Sequence, residues 1–347
     1  MKGLYIHIPF CKRKCPYCAF YSETRLFLIQ DHIQGLLQEA LEFEGMAFST
    51  VYMGGGTPSV LSPEHFEELT KGLARIFELS GVQEFTVEIN PESCDEKLLK
   101  TMRNSGVNRL SLGFQSLHQK ELDLLGRAHT VEESHKCLQN AVGLGFDNIN
   151  IDLMFGFRGQ SLPSWRETLE KASRLPVSHI STYSLTPKGG ISQLDEETLV
   201  QMFRLRDQVL EPSGFHRYEI SNYCLPGKES LHNLVYWEHE SYLGLGPSAA
   251  SFDGKIRWNN EPDLLEYIKE PGKGRLYEQL EQDQLLLERI FLGLRLSQGI
   301  DPGPVQIPEE LREFIEPAQN GIRLSAKGVL VADRVALELW EMMENQR

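Results

Sequence analysis

The chain has 347 residues, a formal net charge of −14, and 41% apolar and 24% charged residues, which excludes an unstructured polymer and leaves room for a large domain and a smaller one. The acidic balance disfavours a phosphate-backbone partner, so no nucleic acid is expected, and no run of about eighteen apolar residues offers a membrane span. The N-terminus Met-Lys-Gly-Leu-Tyr-Ile-His lacks an apolar segment with a small-residue cleavage site, and a cytoplasmic location is expected.

In chain order, LYIHI (4–8) reads as a first strand, and behind it Cys11, Cys15 and Cys18 place half of the six cysteines in one loop. STVYM (49–53), EFTVEI (84–89), RLSLGF (109–114), NINIDLMFG (148–156), HISTYSL (179–185) and HRYEIS (216–221) read as further strands. Between them SPEHFEELTKGLARIFEL (62–79) opens on Ser-Pro with acids in its first turn, and DEKLLKTMRNSG (95–106) runs from an Asp cap to a Gly stop. Strands alternating with helices predict an α/β fold with a parallel sheet, and six or seven such units fit a partial (β/α)6-type barrel. Its chemistry belongs at the C-terminal ends of the strands.

The barrel is expected over residues 1–225 and a smaller, mainly helical C-terminal domain over 226–347. The HNLVYW segment at 232–237 stands near that boundary. QLEQDQLLLERIFLGLRLSQGI (279–300) has a long helical pattern, and GIRLSAKGVLVADRVALELWEMM (321–343) predicts a wing-like hairpin and a helix.

Cys-x3-Cys-x2-Cys directly after a strand gathers three thiolates, which suits three corners of a [4Fe–4S] cluster. A structural zinc site is the alternative, but it wants a fourth ligand and typically a second Cys-x2-Cys pair, which the sequence lacks. Cys94, Cys137 and Cys224 stand alone and read as small buried thiols. In VYMGGGTPS, Gly54, Gly55, Gly56 and Thr57 end the second strand in a loop where backbone can approach a ligand. Glu88, Gln115 and Asp152 stand at or near predicted strand ends, and Arg127 in LLGRAHT offers a fork for a carboxylate.

The loop with its lead Tyr-Ile-His-Ile-Pro-Phe, beginning at Tyr5, and Tyr17 ahead of the third cysteine resembles the radical S-adenosylmethionine (SAM) superfamily. The ordered set IHIPFCKRKCPYCAF, GGGTPS, EINPE, SLGFQS, LGRAHT, DLMFG, GFHRYEISNY and HNLVYW is similar to the HemN/HemW group, with the likeness running through FLGLRLSQGI over nearly the whole chain. The resemblance implies a cluster on Cys11, Cys15 and Cys18, with SAM on its fourth iron as the source of a 5′-deoxyadenosyl radical. It also implies SAM contacts from Tyr5, Gly55, Gly56, Thr57, Glu88, Gln115, Arg127 and Asp152.

That group contains an oxygen-independent coproporphyrinogen III dehydrogenase and a heme chaperone. Two departures favour the chaperone branch: Phe20 stands where the dehydrogenases carry a further cysteine, and only ten residues precede Cys11. The expected function is then to bind heme as cargo and pass it to an acceptor protein, with an electron donor as a further partner. His232 is the candidate iron ligand, and Cys224 a further thiolate. The alternative is radical decarboxylation of coproporphyrinogen III to protoporphyrinogen IX, and a third is radical chemistry on heme itself. Ala19, Arg158 and a shortened 184–197 stretch depart from the group's usual pattern, the last at the substrate side.

Overall fold

The computed structural model describes residues 1–303 and 307–345. In chain order the elements are β1 (Gly3–Ile8), α1 (Ile29–Ala40), β2 (Thr50–Gly55), α2 (Pro63–Ile76), β3 (Glu84–Ile89), α3 (Glu96–Asn104), β4 (Arg109–Gln115), α4 (Gln119–Leu124) and α5 (Val131–Gly143). They continue as β5 (Ile149–Phe155), α6 (Leu162–Ala172), β6 (His179–Ser184), α7 (Glu196–Leu210), β7 (His216–Arg217), β8 (Asn222–Cys224), α8 (Leu231–Trp237) and β9 (Tyr242–Leu245). The last are β10 (Ala250–Phe252), β11 (Ile256–Asn259), α9 (Leu264–Lys269), β12 (Leu276–Gln279), α10 (Gln282–Gly293), β13 (Ile315–Ala318), β14 (Gly321–Leu324) and α11 (Ala332–Asn345).

Strands β1 to β6 pair in parallel and in sequence order, joined by helical crossovers, which is the expected partial (β/α)6 barrel. These strands are buried on both faces, which is why they read as near-continuous apolar runs such as LYIHI and INIDLMF. The helices begin where the sequence marks them. Ser62 Oγ accepts from His65 N with Pro63 as the next residue, Asp95 accepts from Leu98 N, and Thr130 and Glu133 form a capping box.

The sheet does not stop at β6. On one side β8 and β7 add antiparallel, and on the other β9 pairs in parallel with β1 before β10, β11 and β12 continue as a meander. HRYEIS is therefore not a seventh parallel strand: only His216 and Arg217 are extended in the sheet, and the chain turns back at once through β8. The wing-like hairpin lies at β13–β14, slightly ahead of its expected position, and α10 stops at Gly293. Residues Ile290, Leu294, Leu311, Ile315, Leu324, Val335 and Leu339 form a core distinct from the large one beneath the sheet. Among the described residues no helix is long and apolar enough to cross a membrane.

Candidate functional site

The C-terminal ends of β1 to β5 open on one cavity of about 400 Å³ lined by Cys11, Cys15, Cys18, Gly55, Gly56, Thr57, Glu88, Gln115, Arg127 and Asp152. Ten of the twelve residues singled out from the sequence thus converge, although they span residues 11–152 of the chain. β1 delivers the cysteine loop, β2 the glycines, β3 Glu88, β4 Gln115 and β5 Asp152. All three loop cysteines are free thiols.

Each loop sulfur with a polar neighbour is held from a different element. Thr57 Oγ1 lies 3.4 Å from Cys11 Sγ, and Arg127 Nη1 lies 3.5 Å from Cys15 Sγ. Burial raises the pKa of Cys11, so its thiolate forms readily only beside a positive centre such as a metal. Arg127 also donates from Nη1 to Tyr17 Oη at 3.4 Å and from Nη2 to Asn90 Oδ1 at 2.7 Å. Burial alone would lower the pKa of Arg127, but Tyr17, Cys15 and Glu92 raise it and keep the guanidinium charged. Its Nε is buried without a partner, an orphan donor beside the cysteine loop that a ligand carboxylate would satisfy.

Two carboxyl groups sit across the cavity. Glu88 accepts from Tyr52 Oη at 2.7 Å and from Gly55 N at 3.2 Å. Burial pushes its pKa up to about 7, with nearby Asp152 adding to the rise. Asp152, also raised by burial, accepts from Ser111 Oγ and Asn150 Nδ2. A cation entering the mouth would find two carboxyls ready to ionise. Gln115 occupies left-handed backbone at φ 64°, where the β4–β5 register slips, and this turns the strand end at the mouth.

The glycine run is explained by the chain's own packing. A Cβ on Gly54 would lie 2.8 Å from the Glu88 carboxyl carbon, one on Gly55 2.4 Å from His7 Cε1, and one on Gly56 2.8 Å from Ile8 O, Phe10 N and Phe10 O. Three smooth residues let β2 lie against the base of the cysteine loop and bring Glu88 under it.

Tyr5 and His232 lie outside this cavity. Tyr5 is half-buried, with Oη 3.0 Å from His7 Nδ1, and lines a neighbouring pocket together with His232 and Tyr236. His232 is 1% exposed, with Nδ1 2.8 Å from Thr50 Oγ1 and Nε2 2.9 Å from Tyr236 Oη. Both ring nitrogens are engaged and burial lowers its pKa to about 3, so this histidine is a paired core residue and offers no free nitrogen to an iron. Cys224 pairs in register with His179, the first residue of β6, which puts it at the rim opposite the mouth.

Matches to known proteins follow the same pattern. The profile of the radical SAM superfamily matches residues 5–172. The chain is 35% identical over 310 residues to heme chaperone HemW of Lactococcus lactis, covering 85% of this chain and 82% of that one. The chain belongs to the HemW family of radical SAM proteins. Heme chaperone HemW of Bacillus subtilis is 34% identical over 324 residues, covering 86% and 85% of the two chains. The mitochondrial radical S-adenosyl methionine domain-containing protein 1 of Danio rerio is 32% identical, covering 86% and 73%. Among solved structures, coproporphyrinogen III oxidase (HemN) from Escherichia coli shares the fold with a TM-score of 0.83 over 97% of this chain and 89% of that chain, at 22% identity.

Family membership brings a [4Fe–4S] cluster and SAM, and the donor set fits both. Three thiols on one loop leave a fourth iron without a protein sulfur, and the mouth pairs carboxyls for a sulfonium with an orphan guanidinium nitrogen for a carboxylate. Sequence reasoning missed Asn90, which donates to Thr57 Oγ1 at 2.7 Å while accepting from Arg127, and so ties the Cys11 and Cys15 supports together. Its signal was present in EINPE, where Asn-Pro follows a strand end. It also missed Glu84, whose carboxylate accepts from Ser230 Oγ, Leu231 N and His232 N and seats the start of α8.

Proposed function

We propose that this chain is a cytoplasmic heme chaperone, which binds heme and hands it to an acceptor protein. The observation that carries the reading is the match to proteins named heme chaperone HemW over more than four fifths of both chains, through the C-terminal region as well as the barrel. Cys11, Cys15 and Cys18 would hold the cluster. SAM would lie in the mouth, its amino-acid portion toward Arg127 and its remaining polar groups toward Glu88, Gln115 and Asp152, with Gly55, Gly56 and Thr57 as its floor. Bound together, these groups supply one-electron chemistry, fed by an external electron donor.

The chain's own residues keep that site in order. Thr57 and Arg127 fix two sulfurs, Asn90 links their supports, and Tyr52 with Gly55 aims the Glu88 carboxyl. Tyr5 acts from behind, holding His7 against Gly55. The surface that suits a porphyrin is Phe20, which is 68% exposed. It lines both the mouth and a shallow groove of about 510 Å³ walled by Tyr5, Tyr21, Tyr236 and Tyr242, an aromatic surface for a flat conjugated ring.

Anaerobic reconstitution followed by parallel heme titration and coproporphyrinogen turnover tests the proposal. One heme per chain without vinyl product supports it; vinyl product with only non-specific heme binding replaces it with the dehydrogenase reading.

A further inference from the structure

At the rim opposite the mouth, His216 on β7 stands directly across from Cys224 on β8, and Glu229 returns to the pair five residues past the end of β8. Cys224 Sγ lies 3.5 Å and Glu229 Oε1 2.8 Å from the same atom, His216 Nε2, and the three donor atoms all fall within 4.8 Å of one another. Cys224 is fully buried, while His216 and Glu229 keep 43% and 29% of their side chains exposed, so the cluster has a closed floor and an open side.

We propose that His216, Cys224 and Glu229 form a site for a divalent transition-metal ion of the zinc type, separate from the cysteine loop. A thiolate, an imidazole nitrogen and a carboxylate are the three donor classes of zinc, and a tetrahedral ion with arms of about 2.0–2.3 Å spaces its donors about 3.3–3.8 Å apart. The Cys224–His216 distance already falls in that range, and the His216–Glu229 pair needs to open by only about half an ångström to reach it.

A nucleophile triad is excluded by which nitrogen is used. There the acid holds Nδ1 and the thiol faces Nε2, whereas here both partners meet Nε2. A heme iron takes at most one axial ligand from any one face and would engage a single member of the cluster, whereas a small ion is held by all three. On binding, Cys224 loses its thiol proton to solvent, and the ion with one thiolate and one carboxylate is neutral, tolerable beside a buried wall. The open side leaves a fourth position for water. Because Glu229 immediately precedes Ser230, the cap of α8, the ion would staple the β7–β8 hairpin to the start of that helix.

The test is an anaerobic Co²⁺ titration of the cluster-loaded protein, followed by Zn²⁺ displacement. The structure predicts one Co²⁺ beyond the cluster iron, with a thiolate-to-metal absorption band that is absent in Cys224→Ser. His216→Ala and Glu229→Gln should weaken binding at least about tenfold. Zn²⁺ should raise the Tm of the native protein and not that of His216→Ala, which changes a half-exposed ring and serves should the buried Cys224→Ser fail to fold. No thiolate band, or a band and a Tm shift that survive in His216→Ala, overturns the proposal.

Discussion

The guanidinium of Arg127 crosses 112 positions of sequence to set Nη1 3.5 Å from the sulfur of Cys15, while its Nη2 donates to Asn90 and its Nε stays buried and unpaired. A charged fork held in place with one donor unspent is prepared for an anion. Arg127→Lys keeps the charge but loses the fork. SAM affinity of the cluster-loaded variant, read by equilibrium dialysis, should fall at least about tenfold, which is about 1.4 kcal/mol. Iron content should be unchanged.

Glu88 gives the site a pH signature. Its folded pKa of about 7 lies above the ordinary 4.5, so its contribution to stability is complete below the ordinary value and is lost as pH rises through about 7. A sulfonium nearby favours the carboxylate, so binding expels a proton whenever Glu88 is neutral. SAM affinity should tighten with rising pH up to about 7 and then level off, and Glu88→Gln should flatten the profile. Affinities measured between the two pKa values and above them check this.

His232→Ala should cost about 1–3 kcal/mol of stability, because Thr50 and Tyr236 each lose a buried partner. Heme stoichiometry should be retained, whereas Phe20→Ala, which removes an exposed ring and costs the fold little, should weaken heme binding. Denaturant melts and heme titrations of the two variants separate a core role from a cargo role.

Buried neutral histidines make the fold acid-sensitive. Burial lowers His7 to about 4 and both His32 and His232 to about 3. A histidine lowered in the folded state contributes stability above its unfolded pKa, about 6.5, and withdraws it as pH falls toward the folded value. Neutral Glu88 adds stability over the same window, so the decline in Tm below about pH 6.5 should be steeper in Glu88→Gln than in the native protein.

Glu84 holds the entry of α8 from inside the sheet at 2% exposure, with Arg109 Nε 4.0 Å away. Glu84→Ala leaves the amides of Leu231 and His232 unpaired and takes from the buried Arg109 its ion-pair partner, and should destabilise by about 3–5 kcal/mol in chemical denaturation.

Much of this was legible in the sequence because the barrel strands and the mouth residues announce themselves locally. The cysteine spacing, GGGTPS and the polar residues at strand ends each carry a signal within a few positions, and the parallel order fixes their convergence. What escaped depends on distance in sequence. β9 joins β1, and Glu84 reaches Ser230 across 146 residues, pairings that no local pattern encodes. HNLVYW reads as a ligand motif because histidine beside aromatics suits iron, yet Thr50 from β2 takes one nitrogen and Tyr236 the other. HRYEIS reads as a strand by composition, but the chain turns after two residues to lay Cys224 beside His216.

Heme handling is measured as transfer. Cluster-reconstituted protein loaded with one heme is mixed with a heme-free acceptor protein and the absorption of the acceptor is followed. A heme chaperone should transfer faster than heme leaves an inert carrier, and at a rate that depends on its concentration; transfer no faster than free-heme dissociation would rule that role out.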